Sequence, residues 1–176
     1  STISVSEVND VAMIGGDASG SVTEDASSPN LSDSGTLTVS DTDTGEAGFT
    51  PSTQTGSYGS LVLDGAGNWS YTALNANPTI QALSAGDTLS DSFTVTSLDG
   101  TAHVVTVTIH GSNDAATIGG DASGSVTEDA TSPNLSDSGT LTVSDTDTGE
   151  ASFTPSTQTG SYGSLVLDGA GNWSYT

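Results

Sequence analysis

Asp41-Thr-Asp43-Thr-Gly-Glu46 places carboxylates at i, i+2 and i+5, and the run recurs as Asp145-Thr-Asp147-Thr-Gly-Glu150. Each run follows a predicted strand, and its glycine allows a tight reversal. Three oxygen ligands can therefore converge, as in the first half of an EF-hand loop. The remaining ligands of that loop are missing, so the motif is not an EF-hand, and further ligands must come from elsewhere in the chain. Other candidates are the acid pairs Glu24-Asp25 and Glu128-Asp129, the amide–acid pairs Asn9-Asp10 and Asn113-Asp114, and Asp99 in a predicted hairpin turn. Carboxylates, amides and backbone carbonyls form an all-oxygen set that suits a hard cation such as Ca²⁺.

The composition sharpens that reading. The 176 residues include 22 Asp or Glu and no Lys or Arg, a formal charge of −22. Self-repulsion destabilises any compact state, and no internal cation offsets it. The chain either stays disordered or takes its cations from solution. Leu, Ile, Val and Phe make up about 19% of the residues, a low share for a well-cored domain. With no basic residue to neutralise phosphates, nucleic-acid binding is excluded as a reading. An anionic membrane surface would repel the chain, and no run of 18 apolar residues spans a bilayer. No basic segment followed by an apolar stretch reads as a signal peptide. The absence of cysteine rules out disulfides and thiolate metal sites.

Asn9 to Thr72 matches Asn113 to Thr176 at an offset of 104 residues. Four of the 64 pairs differ: Val11/Ala115, Met13/Thr117, Ser27/Thr131 and Gly48/Ser152. Near-identity at this period indicates a tandem array of domain-sized units, each about the size of one β-sandwich. Two framings stay open. In one, residues 1–10 are the last strand and linker of a preceding repeat, 11–112 is one unit and 113–176 a partial second. In the other, 1–72 is partial and 73–176 complete, which makes the domain split or permuted. The acids concentrate near the junctions between units. With no basic counter-ion available, that favours Ca²⁺ over plain solvated turns for the Asp-Thr-Asp runs and for Glu24 and Glu128. Asp17, Asp33, Asp64, Asp87 and Asp91 read as surface residues.

The elements that must position these acids are strands. Helix signals are nearly missing, β-branched residues are frequent, and glycine and polar turn residues punctuate short runs. Residues 35–41, 59–64, 69–71, 93–97 and 103–109 alternate apolar and polar, and residues 3–8 and 20–24 add two short strands. Pro78-Thr-Ile-Gln-Ala-Leu83 reads as a helical turn. About seven short strands point to an all-β fold of tandem antiparallel sandwiches. The expected core is Leu37, Val39, Leu61, Leu63, Trp69, Tyr71, Phe93, Val95, Val105, Val107 and Ile109.

Several motifs together resemble a known family. They are Asn113-Asp114, Gly124-Ser-Val-Thr-Glu-Asp129, the run from Gly139 to Glu150, Tyr162-Gly-Ser-Leu, Gly171-Asn-Trp-Ser-Tyr175, the run from Asp91 to Gly100, and Val105-Thr-Val-Thr-Ile109. In that order they are similar to VCBS-type repeats, the cadherin-like and immunoglobulin-like extender domains of giant bacterial RTX adhesins. The resemblance covers essentially the whole chain. It implies Ca²⁺ at domain junctions, neighbouring repeats of the same chain as partners, type I secretion and display on a Gram-negative surface. Gly119-Gly-Asp-Ala-Ser-Gly124 departs from the glycine-rich nonapeptide of the RTX β-roll, so this piece is not that roll.

Two rival readings are weaker. His103 and His110 are an odd number apart on one predicted strand and point to opposite faces, and no nucleophile-elbow pattern appears. Duplication of every acid argues for a structural repeat, so no enzymatic activity is expected. Tyr58, Trp69 and Tyr71 could stack on a sugar ring in a carbohydrate-binding module, but their alternation with polar residues favours core packing. The expectation is a monomeric, Ca²⁺-stabilised extender segment that projects a distal ligand-binding domain for adhesion and biofilm formation.

Overall fold

A computed structural model describes residues 1–176. The chain divides into two compact units, Ser1–Ser112 and Asn113–Thr176.

The first unit contains β1 (Met13–Gly16), β2 (Ser19–Thr23), β3 (Asn30–Ser40), β4 (Ser52–Thr55), β5 (Gly59–Leu63), β6 (Asn68–Leu74), α1 (Pro78–Gln81), β7 (Thr88–Thr96) and β8 (Ala102–His110). Its two sheets run β1-β3-β6-β5-β4 and β2-β8-β7. All pairings are antiparallel except β2 with β8, which is parallel with Val22 opposite Ile109. This is the expected all-β sandwich, with one parallel pair where only antiparallel ones were expected. Strand periodicity explains the layers. In β6, Trp69, Tyr71 and Ala73 face inward while Ser70 and Thr72 face out. Phe93 and Val95 of β7 and Val105, Val107 and Ile109 of β8 close the core from the other sheet. Each large apolar side chain buried there contributes roughly 1.5–3 kcal/mol.

Trp69 is tied to the chain where it crosses between the sheets. β1 belongs to one sheet and β2 to the other, and the Trp69 indole N–H donates to the Asp17 carbonyl at 2.7 Å, in the crossing between them. The ring lies so close to Gly35 that a Cβ there would sit 2.6 Å from Trp69 Cζ2, so no other residue fits without displacement. The helical turn is also real: Asn77 Oδ1 accepts from the Thr79 N–H, with Pro78 in the first helical position. It buries Ile80.

The expected strand over residues 3–8 does not form, and Ile3, Val5 and Val8 are exposed. The related segment Thr106–Ser112 contains the end of β8, which lies between β2 and β7. Residues 3–8 have no such neighbours, and a strand without a ladder leaves its backbone groups unpaired. Val39 is half-buried rather than central, while Leu31, Phe49 and Ile80 join the core. Asp91, read as a surface acid, is 3% exposed.

The second unit contains β9 (Thr117–Gly120), β10 (Asp137–Ser144), β11 (Ser156–Thr159), β12 (Ser164–Leu167) and β13 (Asn172–Tyr175). They form a single sheet, β11-β12-β13-β10-β9. Its order and register repeat the first sheet of the first unit: Gly139 pairs with Trp173 as Gly35 pairs with Trp69. The counterpart of β2, residues 123–127, is not a strand; in the first unit β2 is held by its ladder with β8.

Candidate metal centre

Asp41, Asp43 and Glu46 follow the end of β3. One oxygen of each lies within 4.8 Å of the others. Gly45, at φ 87°, supplies the left-handed residue that turns Glu46 back. The Asp43 N–H donates to Asp41 Oδ1 at 2.8 Å, and Asp43 Oδ2 accepts from the Asp10 N–H at 2.7 Å. The amide–acid pair Asn9-Asp10 is therefore held to the cluster through its backbone. Asp99, in the β7–β8 turn, holds the next stretch of the same segment by accepting from the Ala12 N–H at 2.9 Å.

The electrostatics of this loop are unfavourable without a cation. Glu46 titrates above its ordinary range, first through desolvation and then through Asp43, Asp41, Asp99 and Glu7. Asp99 is held well below the carboxylate range by hydrogen bonds from the Ser97 hydroxyl and the Thr101 and Ala12 N–H groups, so it stays charged. Asp41 Oδ2 and Glu46 Oε2 are buried and accept no hydrogen bond. Buried carboxylate oxygens normally have donors, and this chain has no Lys or Arg to supply them. Oxygens bound to one Ca²⁺ at roughly 2.3–2.6 Å lie at most about 5 Å apart. The donor set thus has the chemistry and the spacing to hold a hard divalent ion.

The second unit repeats the arrangement. Asp145, Asp147 and Glu150 follow β10, again with oxygens within 4.8 Å of one another. Asp147 Oδ2 accepts from the Asp114 N–H at 2.9 Å, and the Asp147 N–H donates to Asp145 Oδ1 at 2.9 Å. Asp147 is buried, and its Oδ1 has no hydrogen-bond partner. Asp99 lies outside the stretch 9–72 that residues 113–176 repeat.

The other candidate ligands lie elsewhere. Glu24 is buried, its N–H donates to the His110 carbonyl, and its Oε1 accepts from the Ser112 N–H at 2.6 Å. It stands at the His110 end of β8, whereas Asp99 stands beyond the opposite end. Strand β8 of 9 residues, about 30 Å at 3.3 Å per residue, separates Glu24 from the Asp99 end. Asp25 is engaged by amides, with its N–H on Asn75 Oδ1 and its Oδ1 accepting from Asn75 Nδ2 and Gln81 Nε2. Glu128 and Asp129 are exposed and outside the second acid cluster. Asn9 and Asn113 turn their side-chain amides onto the carbonyls of Asp10 and Asp114.

Asp91 is the buried acid that residue types alone miss. It accepts from the N–H groups of Ser57, Tyr58 and Gly59 at 2.7, 3.1 and 2.8 Å, and from the Tyr71 hydroxyl at 2.8 Å. The signal was present in the alternation Asp91-Ser-Phe93-Thr-Val95, which puts Asp91 on the core face. The aromatic residues suggested for sugar stacking are spoken for: Trp69 and Tyr71 are in the core and Tyr58 packs against it. His103 is half-buried and His110 exposed.

Two sheets closing over an apolar core, with acid loops at strand ends, define a structural β-sandwich repeat. Residues 9–111 match the bacterial cadherin-like domain. That match spans more than half of the 176 residues, and the chain belongs to this family. It is a structural, adhesin-like repeat. No curated protein matches the chain. No helix is long and apolar enough to cross a membrane.

Proposed function

We propose that the chain is a Ca²⁺-stabilised extender segment of a large repetitive bacterial adhesin, acting outside the cell alongside neighbouring repeats of the same chain. The observation that carries this reading is the pair of acid clusters whose buried oxygens have no donor, in a chain with no basic residue. Cadherin-like domains commonly bind calcium, which supports the choice of ion. The ordered motifs support the finer setting: type I secretion, display on a Gram-negative surface, and projection of a distal ligand-binding domain in adhesion and biofilm formation.

The chain's own residues supply the mechanics. Like charges about 4 Å apart repel by roughly 4 kcal/mol per pair at an effective dielectric of 20. A divalent ion removes that repulsion and turns the oxygens into ligands. Asp43 and Asp147 also hold the Asp10 and Asp114 amides, so an ordered acid loop orders the residues that lead into each unit. Binding only to the folded state adds stability by mass action. The test is a thermal melt of the chain with millimolar Ca²⁺ and then with excess chelator. Ca²⁺ should raise the transition, and amide exchange at Asp10, Ala12 and Asp114 should slow. Unchanged melting and exchange with Ca²⁺, and with Mg²⁺, would sink the reading.

A further inference from the structure

The chain enters and leaves the first unit at opposite ends of β8. Ala12, on the way into β1, is tied by its N–H to Asp99, in the turn that precedes β8. Ser112 lies just beyond His110, the last residue of β8. The nine residues of β8 run about 30 Å between those points. Tension carried along the chain therefore draws residues 12 and 112 apart along the axis of β8.

Strand β2 is the parallel neighbour of β8, with Ser19 opposite Thr106 and Thr23 opposite His110. Tension reaches β2 through its first residue and β8 through its last. For two parallel strands those loads point in opposite senses along one axis, so the ladder between them is sheared. The bonds of a parallel ladder are evenly spaced. Under shear they take the load together, whereas strands peeled from one end give up their bonds singly.

The ladder extends past its five paired positions. On the entry side the Thr106 N–H donates to the Ala18 carbonyl at 3.0 Å. On the exit side the Glu24 N–H donates to the His110 carbonyl at 3.0 Å, and Glu24 Oε1 accepts from the Ser112 N–H at 2.6 Å. Glu24 is 2% exposed, so water does not compete for the Ser112 bond. Val22, opposite Ile109, is buried in the core beside it. The path into β2 is held less firmly: β1 has four positions paired with β3, and none of its residues is buried.

We propose that the β2–β8 ladder, closed by the Glu24–Ser112 bond, is the force-bearing clamp of the unit and sets the tension at which the sandwich opens. Strand β1 yields first and leaves the two sheets closed. That the chain is under tension rests on the extender reading; the shear geometry does not.

The test is single-molecule force spectroscopy on the full chain in Ca²⁺ buffer. The chain has no cysteine, so paired handles can be placed by substitution at exposed positions. Val11→Cys with Asn113→Cys loads the unit in shear. Ala26→Cys with Asn113→Cys pulls on the same end of both strands and peels them. Shear should need at least about twice the peeling force, because the rungs of the parallel ladder act together. Ser19→Cys with Asn113→Cys bypasses β1 and should need the same force as the Val11 pair. Glu24→Gln should speed shear unfolding about tenfold at a given force, as loss of a hydrogen bond to a charged acceptor predicts. Ser112→Pro removes the donor instead and gives the same readout should Glu24→Gln fail to fold. Equal shear and peeling forces overturn the proposal. So does a Ser19 pair that yields well below the Val11 pair, and so does shear unfolding that neither Glu24→Gln nor Ser112→Pro alters. Each of those results leaves a Ca²⁺-dependent melt standing, whereas a melt indifferent to Ca²⁺ removes the extender reading and leaves a measured clamp.

Discussion

Leu37 is 1% exposed and its counterpart Leu141 is half-buried; Val22 is 6% exposed and Val126 40%. The two halves of the repeat differ at only four of 64 positions, none of them in the core. Both form the same five-stranded sheet in the same order. What separates them is β7 and β8, which bring Phe93, Val95, Val105 and Val107 onto one face of the first and have no equivalent in the second. Sheet formation here is local to the half-repeat, while burial is a property of the pair of sheets. Trp173 is instructive: it stays 7% exposed without a second sheet, because its own half supplies the Asp121 carbonyl and the flanking Gly139.

The largest contrast should come from truncating the shared apolar face. Leu61→Ala should cost the first unit about 2–5 kcal/mol, since a closed core cannot fully collapse around the gap. Leu165→Ala should cost the second less than about 1 kcal/mol, the range of a change at a face still open to water. Local exchange free energies of each unit measure both. Equal losses would mean that the second sheet is covered.

Asp91→Asn comes next. It leaves part of the Ser57–Gly59 loop without its charged acceptor, which should destabilise the first unit by about 1–3 kcal/mol. The second unit should be unaffected, because no Asp91 is seated there. A chemical denaturation curve with two resolved transitions, only one of them shifted, checks this.

Glu46→Gln and Glu150→Gln separate the two acid clusters. Glu46 sits among Asp41, Asp43, Asp99 and Glu7. Removing its charge should raise the first unit's melting temperature in chelator and shrink the gain from Ca²⁺. Glu150→Gln should act in the same direction but less in chelator, because Asp99 has no counterpart near it. A fall in chelator would contradict the repulsion argument.

The smallest effect should be the same in both units. Asp64 and Asp168 are lowered below the usual aspartate range, first by the side chains of Asn68 and Asn172 and then by their N–H groups. A lowered folded value means the stabilisation is present above the ordinary value and lost as pH falls through the lowered one. Asp64→Asn and Asp168→Asn should each remove part of the acid limb of the stability profile, to the same extent. Unequal effects would show that these turns feel more than their own residues.

Alternation in 59–64, 69–71, 93–97 and 103–109 was enough to place strands and most of the core, and the spacing Asp41, Asp43, Glu46 was enough to mark the acid cluster. These features depend on backbone periodicity and turn chemistry over a few residues. The expected strand at 3–8 failed for the opposite reason, since a strand needs partners that its own sequence does not contain. Glu24 and Glu128 were grouped with the Asp-Thr-Asp runs because acids concentrate near the junctions between units. The fold sets Glu24 on Ser112, at the other end of β8 from Asp99.

Composition and short-range pattern are enough to establish the period of 104 residues, the all-β character, the absence of any internal Lys or Arg counter-ion and the identity of the acid loops. Tertiary structure decided which copy of a residue is buried, that Asp91 is a core acceptor rather than a surface acid, and that β1 and β2 part to opposite sheets around Trp69. Those outcomes depend on contacts between residues tens of positions apart: 34 between Ser57 and Asp91, and 52 between Asp17 and Trp69. Identical side chains differ in environment when only one copy has a second sheet to meet.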